Sequence, residues 1–580
     1  MFKGAMEFDA RGEGRLRAAF WAIGLALGAL QGWITRQRLS SDDAIAYLDI
    51  GDAYLRGDWH AAINAYWSPL YSWLLGGVVA VVHPAIRWEF PLVKAVNFSL
   101  FVFAFVAFEL FLRQIIAYTE REAVKGRDAA TTVPRWAWIV FGYSAFLWTS
   151  LVFIGVSSDT PDMLVAVLFY LAAALILRIR ASGATRDYVA LGVVLGLGYL
   201  AKTAMFPIAL VFFAVAMLGA PRRRLGVAHT LRAVLVFAVV AGPFVAAISV
   251  AKGRPTFGDT GKLNYAWVVT RYVRPFRFWE GREPMVGVPT HAPRELSRRP
   301  EVFEFSKPVA GTYPPWHDPS YWYEGVATRF RLAGQLSAIY VNVIYYAATF
   351  VAWFVLAWLA LAGFGADMRR SLSALSTTWI ISIPALAALA IYFVSTDMSS
   401  MNIPTQPSGR FIAAPVAVLF AVLVSSVRRS DARSAHRRIA MVATLAAALV
   451  GIELARDVGR KLQDERSREG QVAAQQVQIA DTLRKLGLRE GDRVAISGSY
   501  IFPYYHWARL ARLKIIGEIH ADGLYWDQPQ ATRAGILDRL HEAGATVIVQ
   551  RPPQPPTDES GWISLGNGYF AIFPRAGGLD

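Results

Sequence analysis

Acidic side chains are concentrated in one short stretch near the start of the sequence. Five aspartates lie between positions 42 and 58, within the segment SSDDAIAYLDIGDAYLRGDW. Asp42 and Asp43 directly follow an apolar segment, where a carboxylate is within reach of a substrate carried by a lipid. An ionised carboxylate at this place is suited to accept a proton from a hydroxyl or an amine. The alternative interpretation is a solvated amphipathic helix, since Asp42, Asp49 and Asp52 share one helical face.

A second acidic turn has the sequence VSSDTPDM, at 156–163. Asp162 begins an apolar segment, and a carboxylate at the edge of the hydrocarbon is costly and usually functional. Asp159 and Thr160 precede Pro161, which is the pattern of a helix N-cap followed by proline in the first turn. We therefore expect Asp159 to cap the helix and Asp162 to take part in the chemistry, with Asp159 as a further candidate carboxylate.

Three isolated cations stand at the ends of apolar segments. Lys94 lies early in one segment, Lys202 ends the run GLGYLAK, and Arg410 begins RFIAAPVAVLF. A phosphate group at the membrane interface needs such partners, and arginine binds it through two parallel hydrogen bonds. The alternative is that each long side chain merely reaches toward the lipid headgroups. Because all three fall on one predicted face, a phosphate or donor-binding site becomes a competitive interpretation.

Aromatic side chains surround polar ones in the segment GTYPPWHDPSYWYEG, at 311–325. Aromatic faces with polar edges suit sugar rings, and they equally suit the aromatic belt at a membrane interface. His317 and Asp318 have no third metal ligand at a recognisable spacing, so no metal site is predicted. The candidate contacts to a sugar or an acceptor, drawn from this segment and the first acidic one, are Tyr47, Trp67, Tyr71, Trp316, His317, Asp318 and Tyr321.

The composition of the chain is that of a membrane protein. Its 580 residues are 55% hydrophobic and only 18% charged, and the mean hydropathy is +0.34. So few charges exclude a soluble enzyme, a DNA-binding protein and a disordered chain. The net charge of +16 indicates cytoplasmic loops that face anionic lipid rather than a nucleic-acid partner. The absence of cysteine excludes disulfides and thiolate chemistry.

Eleven apolar segments are long enough to be membrane spans. Leaving the ambiguous segment 67–83 out of the count places every short basic connection on one side of the membrane, as the positive-inside rule requires. We therefore predict a mainly α, polytopic membrane protein whose N-terminus is cytoplasmic and in which 67–83 is an interfacial or re-entrant helix. The predicted spans are 17–35, 91–117, 136–154, 162–180, 187–202, 204–219, 232–252, 336–364, 374–395, 410–427 and 437–455.

The C-terminal part of the sequence has a different character. A polar helix at 457–490 precedes alternating strands and helices, with strands at 493–497, 513–517 and 545–550, which indicates a small α/β domain. The predicted domains are therefore a transmembrane part, 1–456, and an extracytoplasmic α/β part, 457–580. The external loops 36–90 and 253–335 are assigned to the transmembrane part.

The ordered set of motifs resembles the GT-C integral membrane glycosyltransferases, in particular the lipid A aminoarabinose transferases and the protein O-mannosyltransferases. Asp43-Ala-Ile-Ala-Tyr47 and Gly57-Asp58-Trp59 match their D-x-x-x-Y and G-D-W elements after the first span. Asp162 matches the second acidic position and Gly196–Lys202 the G-L-x-x-L-x-K element. Arg410–Pro415 is similar to the R-[FY]-x-x-P element, with one residue more before the proline. Counting to Tyr47 favours Asp43 as the base, whereas counting back from Gly57-Asp58-Trp59 favours Asp42. Ser68 stands where some relatives have a lysine.

The resemblance implies an inverting glycosyltransferase of a bacterial-type inner membrane. Its donor is a sugar on a polyprenyl-phosphate carrier, and its acceptor is a hydroxyl or amine on a lipid, glycan or protein. Asp43 is the expected base, with Asp162 positioning or sharing the proton. No cofactor is expected; a divalent metal is compatible with the sequence, which does not demand one. The alternative is a transporter or flippase of lipid-linked sugars, for which Glu109, inside a span, is the best candidate residue.

Overall fold

A computed structural model of the chain describes residues 10–125, 132–270, 291–307, 309, 311–315, 318–322, 328–351, 353–355, 358, 368–399, 407–428, 432–497, 504–520, 522–552 and 561–573. Helices dominate these residues. In chain order they are α1 (Ala10–Ile34), α2 (Asp43–Arg56), α3 (Trp59–Ala62), α4 (Pro69–Val82), α5 (Glu89–Lys125), α6 (Arg135–Leu147), α7 (Asp162–Ser182), α8 (Thr185–Ala201), α9 (Met205–Leu218), α10 (Arg223–Ala251), α11 (Thr260–Val268), α12 (Pro319–Trp322), α13 (Leu332–Tyr346), α14 (Met368–Leu375), α15 (Trp379–Ser395), α16 (Ala413–Ser426), α17 (Ala432–Arg466), α18 (Arg468–Lys485), α19 (His506–Leu510), α20 (Asp522–Trp526) and α21 (Gln530–Glu542).

Seven helices of the described chain are long and apolar enough to cross a membrane, and each coincides with a predicted span. They are Ile86–Lys125, Arg135–Ile154, Asp162–Ser182, Arg223–Ala251, Leu332–Val355, Arg369–Ser395 and Arg437–Arg466. The other four predicted spans coincide with α1, α8, α9 and α16, of which α9 and α16 are short apolar helices. The mainly α, polytopic membrane fold is therefore confirmed, and the direction of the chain across the membrane stays a prediction.

The chain forms two compact units. The first, called here the helical unit, comprises Met1–Ile34, Lys94–Val269 and Phe330–Lys461. The second, the mixed unit, comprises Thr35–Val93, Thr270–Arg329 and Leu462–Asp580. The mixed unit thus combines most of the two loops predicted to be external with the C-terminal segment. The division into residues 1–456 and 457–580 stays a prediction.

A seven-stranded sheet forms the core of the mixed unit. Its strands are ordered β1-β2-β4-β3-β5-β7-β6, and β3 pairs in parallel with β4 and β5 while the other pairs are antiparallel. Apolar side chains of this sheet, including Val302 and Ile548, pack with Leu540 of α21. The predicted strands are confirmed as β3, β4 and β5, whereas the sequence analysis does not predict the other four. The bounds are β1 (Arg294–Arg298), β2 (Glu301–Glu304), β3 (Arg493–Ser497), β4 (Lys514–Ile519), β5 (Val547–Gln550), β6 (Ile563–Gly566) and β7 (Tyr569–Ile572).

Helix α2, which begins with Asp43, packs closely against α4. A Cβ atom on Gly51 of α2 would lie 2.7 Å from the backbone oxygen of Ser72 and 3.1 Å from the Cα of Gly76, so the two backbones approach each other through glycine. The ambiguous segment 67–83 is therefore a 14-residue helix, α4, that packs beside the acidic helix in the mixed unit. Whether it lies in the membrane interface stays a prediction.

Replacing Gly51 with alanine is expected to destabilise the mixed unit by about 1–3 kcal/mol, because the added methyl group meets rigid backbone. The midpoint of thermal unfolding of the purified protein in detergent should fall. Gly77→Ala is the matched control, since a Cβ atom on Gly77 meets nothing within 4 Å. Equal midpoints for the two variants would contradict the close packing of α2 and α4.

Candidate functional site

The second acidic turn is held in place by its own backbone and by α1. The helix before it ends in a wider, π-type turn over Trp148–Ile154, a feature that is frequent at functional sites. Gly155 then adopts a φ of +81°, a backbone conformation that glycine reaches without steric cost. The buried side chain of Gln31 in α1 accepts a hydrogen bond from the backbone N–H of Val156 at 3.1 Å. The acidic residues that follow are therefore presented from a fixed turn.

Asp162 is a buried counter-ion for two of the three predicted cations. Its Oδ1 lies 2.5 Å from Nζ of Lys202, and its Oδ2 lies 3.2 Å from Nε of Arg410. The hydroxyl of Thr160 donates to Oδ2 at 2.7 Å. Lys202 and Arg410 also lie over the ring of Phe411, 4.3 and 4.6 Å from its centroid. The ends of α7 and α8 and the turn Ser408–Phe411 thus meet at one point of the helical unit.

Asp159 pairs with the third predicted cation. Its side chain is fully buried, and Nζ of Lys94 donates to both of its oxygens, at 2.6 and 2.7 Å. Asn97, one turn further along α5, donates to Oδ1 at 2.9 Å. The prediction that Asp159 caps α7 is wrong, because that helix has Pro161 at its N-cap and no side-chain capping bond. The carboxylate of Asp159 instead compensates the buried positive charge of Lys94, which would be costly without a partner.

The two acidic residues of the turn each pair with predicted cations of the helical unit. Asp159 pairs with Lys94, and Asp162 pairs with Lys202 and Arg410. The turn therefore holds ammonium and guanidinium donors of the kind that also bind a phosphate.

Predicted sugar-contacting residues also come together, in the mixed unit. Asp318 accepts hydrogen bonds from Nε1 of Trp67 at 3.0 Å and from the hydroxyl of Tyr313 at 2.9 Å. Burial and the charge of Asp318 raise the pKa of Tyr313 well above its usual value, so its hydroxyl remains a donor. Tyr47 packs edge-on against Trp67 and Tyr71, with ring centroids 5.0 and 5.2 Å apart. This aromatic cluster is built around one carboxylate.

The side chain of Tyr321 makes other contacts, and two further predicted residues lie outside the described part of the chain. The hydroxyl of Tyr321 donates to the backbone oxygen of Ser306 at 2.7 Å, and its ring stacks on His291. Trp316 and His317 lie outside the described residues. Within the part of the chain that is described, no group of three or more histidine, aspartate or glutamate side chains is placed to hold a metal ion. The expected independence of cofactors stays a prediction.

Asp42 and Asp43 lie at the start of α2 in the mixed unit. Asp42 occupies the N-cap position without a side-chain capping bond, and Asp43 is the first helical residue. Both side chains are partly buried. Burial raises the pKa of the Asp42 carboxyl to about 7, which is suitable for a group that exchanges a proton near neutral pH.

Glu109, the best candidate residue for a transporter, forms ion pairs with nearby arginines, and these pairs explain a carboxylate inside a span. Its carboxylate binds Arg17 of α1 and the hydroxyl of Tyr143, and Nε of Arg113 lies 2.6 Å away. A membrane-embedded carboxylate that is neutralised by two arginines needs no transported ion to explain it.

The sequence analysis misses Arg509, which has more carboxylate partners than any other cation among the described residues of the mixed unit. This buried guanidinium contacts Asp49, Asp52 and Glu89. Burial acts to lower the pKa of Arg509, but the charges of Glu89 and Asp49 outweigh burial and hold it above the usual value. A single arginine in a short helix gives no signal in the sequence for such a role.

Comparison with solved structures identifies the fold. ArnT from Cupriavidus metallidurans in the apo state is similar with a TM-score of 0.50 and 12% sequence identity, over 97% of this chain and 99% of ArnT. The chain has an ArnT-like fold. A second structure, ArnT from the same organism bound to undecaprenyl phosphate, has a TM-score of 0.49 and 12% identity over 96% of this chain and 98% of ArnT. No family model and no curated protein matches the sequence.

The likeness to ArnT confirms the polytopic, mainly helical architecture that the sequence motifs indicate. At 12% identity it carries the architecture alone. The roles of individual residues in this chain therefore depend on the contacts described above rather than on correspondence with ArnT.

Proposed function

We propose that this protein is an inverting glycosyltransferase that moves a sugar from a polyprenyl-phosphate carrier to a hydroxyl or amine acceptor. The observation that carries the proposal is the pairing of Lys94, Lys202 and Arg410 with Asp159 and Asp162, two residues of a single turn. The ArnT-like fold and the motifs after the first predicted span are consistent with it.

The proposed reaction needs positive charge at the leaving group. An acceptor oxygen or nitrogen attacks the anomeric carbon on the side opposite the phosphate, and a bond between them forms. The bond from the anomeric carbon to the phosphate oxygen breaks, and its electron pair leaves with polyprenyl phosphate. Fixed cations stabilise the negative charge that grows on this phosphate in the transition state. Lys202 and Arg410 are assigned this role, with Lys94 as the third donor-binding residue.

The acceptor needs a base, because its hydroxyl or amine loses a proton during the attack. We assign this proton to the carboxylate pair Asp42 and Asp43. The sequence motif favours Asp43, and the raised pKa favours Asp42. The aromatic cluster around Asp318, with Tyr47, is assigned to the sugar or acceptor. The reaction is proposed to take place on the extracytoplasmic face of an inner membrane, with the N-terminus in the cytoplasm.

The test of the proposal follows a radiolabelled sugar on polyprenyl phosphate, incubated with purified protein and a mixture of candidate acceptors. Label should leave the lipid and appear on a lipid, glycan or protein acceptor. Arg135→Gln is a suitable control, since Arg135 pairs with Glu120 at an exposed position. Movement of intact lipid-linked sugar between the leaflets of liposomes, without release of the sugar, would contradict the proposal and favour a flippase.

If Asp42 takes part in the proton transfer, the rate of transfer is expected to rise with pH through about 7 and to level off above it, because the raised pKa of Asp42 makes its carboxylate the major form only on the alkaline side. The measurement is the initial rate of label transfer between pH 5.5 and 8.5. Asp42→Asn should remove this rise. If the rate of transfer by Asp42→Asn still rises with the same midpoint pH, the titrating group is not Asp42.

A further inference from the structure

Arg509 lies at the centre of a buried ion network in the mixed unit. Its side chain is fully buried. Nη1 donates to Asp49 and to Asp52, each at 2.7 Å, and Nε donates to Glu89 at 2.7 Å. One guanidinium thus joins two residues of α2 to the first residue of α5.

Arg512 completes the same network. Its guanidinium contacts Asp52, and its Nη2 donates to Oε2 of Glu89 at 3.1 Å. Three buried carboxylates are opposed by these two guanidinium groups. If the arginines were absent, the carboxylates would repel one another in surroundings that solvate charge poorly. The position of α2 therefore depends on two residues of the C-terminal segment, at and just after α19.

The network continues toward the aromatic cluster. Asp49 also accepts hydrogen bonds from the backbone N–H of Thr312 at 2.7 Å and from its hydroxyl at 3.0 Å. The next residue, Tyr313, donates to Asp318. Helix α2 itself begins at the candidate base and carries Tyr47 one turn later. Arg509 is thus linked to the elements that bear the base and the sugar-contacting rings.

We propose that Arg509 is a positioning residue for the transfer reaction, which fixes α2 and with it the candidate base and the ring of Tyr47. This inference depends on the proposed function. It also gives the C-terminal segment a role in the reaction. In this role the segment contacts no substrate, and its arginines hold α2 in position through ion pairs. A shift of about 1 Å in a reacting group lowers a rate by about 100-fold, so a small displacement of α2 has a large effect.

The test compares Arg509→Lys and Arg509→Ala with an exposed control on the same elements. Lysine keeps the charge but lacks the planar fork of donors, so it cannot serve three carboxylates at once. Arg56 of α2 is the control, because its pairing with Glu490 of the C-terminal segment spans 3.8 Å and both side chains are about half exposed. Two readouts are used: the kinetics of label transfer, and hydrogen exchange of the α2 amides at residues 43–56.

We expect kcat to fall by about 100-fold in Arg509→Ala, with partial recovery in Arg509→Lys and with the donor KM within about twofold of the parent value. Exchange should become faster in α2 but not in the helical unit. Arg56→Ala should match the parent in both readouts.

Unchanged kcat in a folded Arg509→Ala protein, or exchange that rises equally throughout the chain, would overturn the positioning role. Should Arg509→Ala fail to fold, Arg512→Lys gives the same readouts from a less buried position. Absence of transfer by the parent protein would overturn the proposed function. The exchange data, which need no activity, then still decide whether Arg509 fixes α2.

Discussion

Asp43→Asn, Asp42→Asn and the double variant are expected to separate binding from chemistry. Loss of a general base lowers a rate by about 10²–10⁴-fold, so the variant that removes the base should lose transfer to this extent. The donor lipid should still bind with nearly the parent affinity, because its phosphate is assigned to the cations of the helical unit. The measurements are single-turnover transfer of label and equilibrium binding of the unreactive polyprenyl phosphate.

The comparison also decides between the two neighbouring aspartates. If Asp43 is the base, Asp43→Asn should be as inactive as the double variant, while Asp42→Asn keeps measurable transfer. The reverse result would assign the base to Asp42. Asp538→Asn is the control, because Asp538 is exposed on α21. Transfer at the parent rate in the double variant would contradict the assignment of the base to this pair.

Lys202→Met and Arg410→Met are each expected to raise the dissociation constant for polyprenyl phosphate by about 10–100-fold. A hydrogen bond to a charged group contributes about 1.5–3 kcal/mol, and each 1.4 kcal/mol is a factor of about ten in affinity. Asp162→Asn is expected to act in the opposite direction, because it removes a competing carboxylate that both cations now bind. This variant should bind the lipid at least as tightly as the parent and yet transfer sugar slowly.

The substitutions of the cations and of Asp162 are expected to change the affinity for the lipid in opposite directions, which distinguishes a phosphate site from a general loss of stability. Removing one partner of a buried ion pair also destabilises a protein, by about 3–5 kcal/mol, so weaker binding alone does not identify a phosphate site. The double variant Lys202→Met with Asp162→Asn removes the pair together and restores the charge balance. It should fold like the parent and still bind the lipid weakly. Parent-like binding in this double variant would exclude Lys202 as a phosphate ligand.

Seven of the predicted spans could be identified because each is a long apolar run whose length matches a bilayer. Charge patterning predicts that the segment 67–83 is not a span. The helix formed there, α4, has the same 14-residue length as α9 and α16, so its placement outside the membrane core stays a prediction. The strands β1 and β2 could not be predicted, because RELSRRPEVFE is rich in charge and shows little alternation. They exist because β2 pairs with β4, more than two hundred residues later in the sequence, and this pairing carries no local signal.

The candidate site, too, could be predicted from the sequence only in part. The acidic turns and the isolated cations were identifiable because a charge at the end of an apolar segment is unusual. The pairing of each cation with a particular carboxylate was not, so the capping role given to Asp159 was wrong. Arg509 escaped notice because its partners Asp49 and Glu89 lie 460 and 420 positions away in the sequence.

The most direct measurement is an experimental structure of the protein with polyprenyl phosphate bound. The account predicts that the phosphate lies about 3 Å from the side-chain nitrogens of Lys202 and Arg410, with Asp162 released from at least one of them. A phosphate bound elsewhere, with both ion pairs of Asp162 intact, would contradict it.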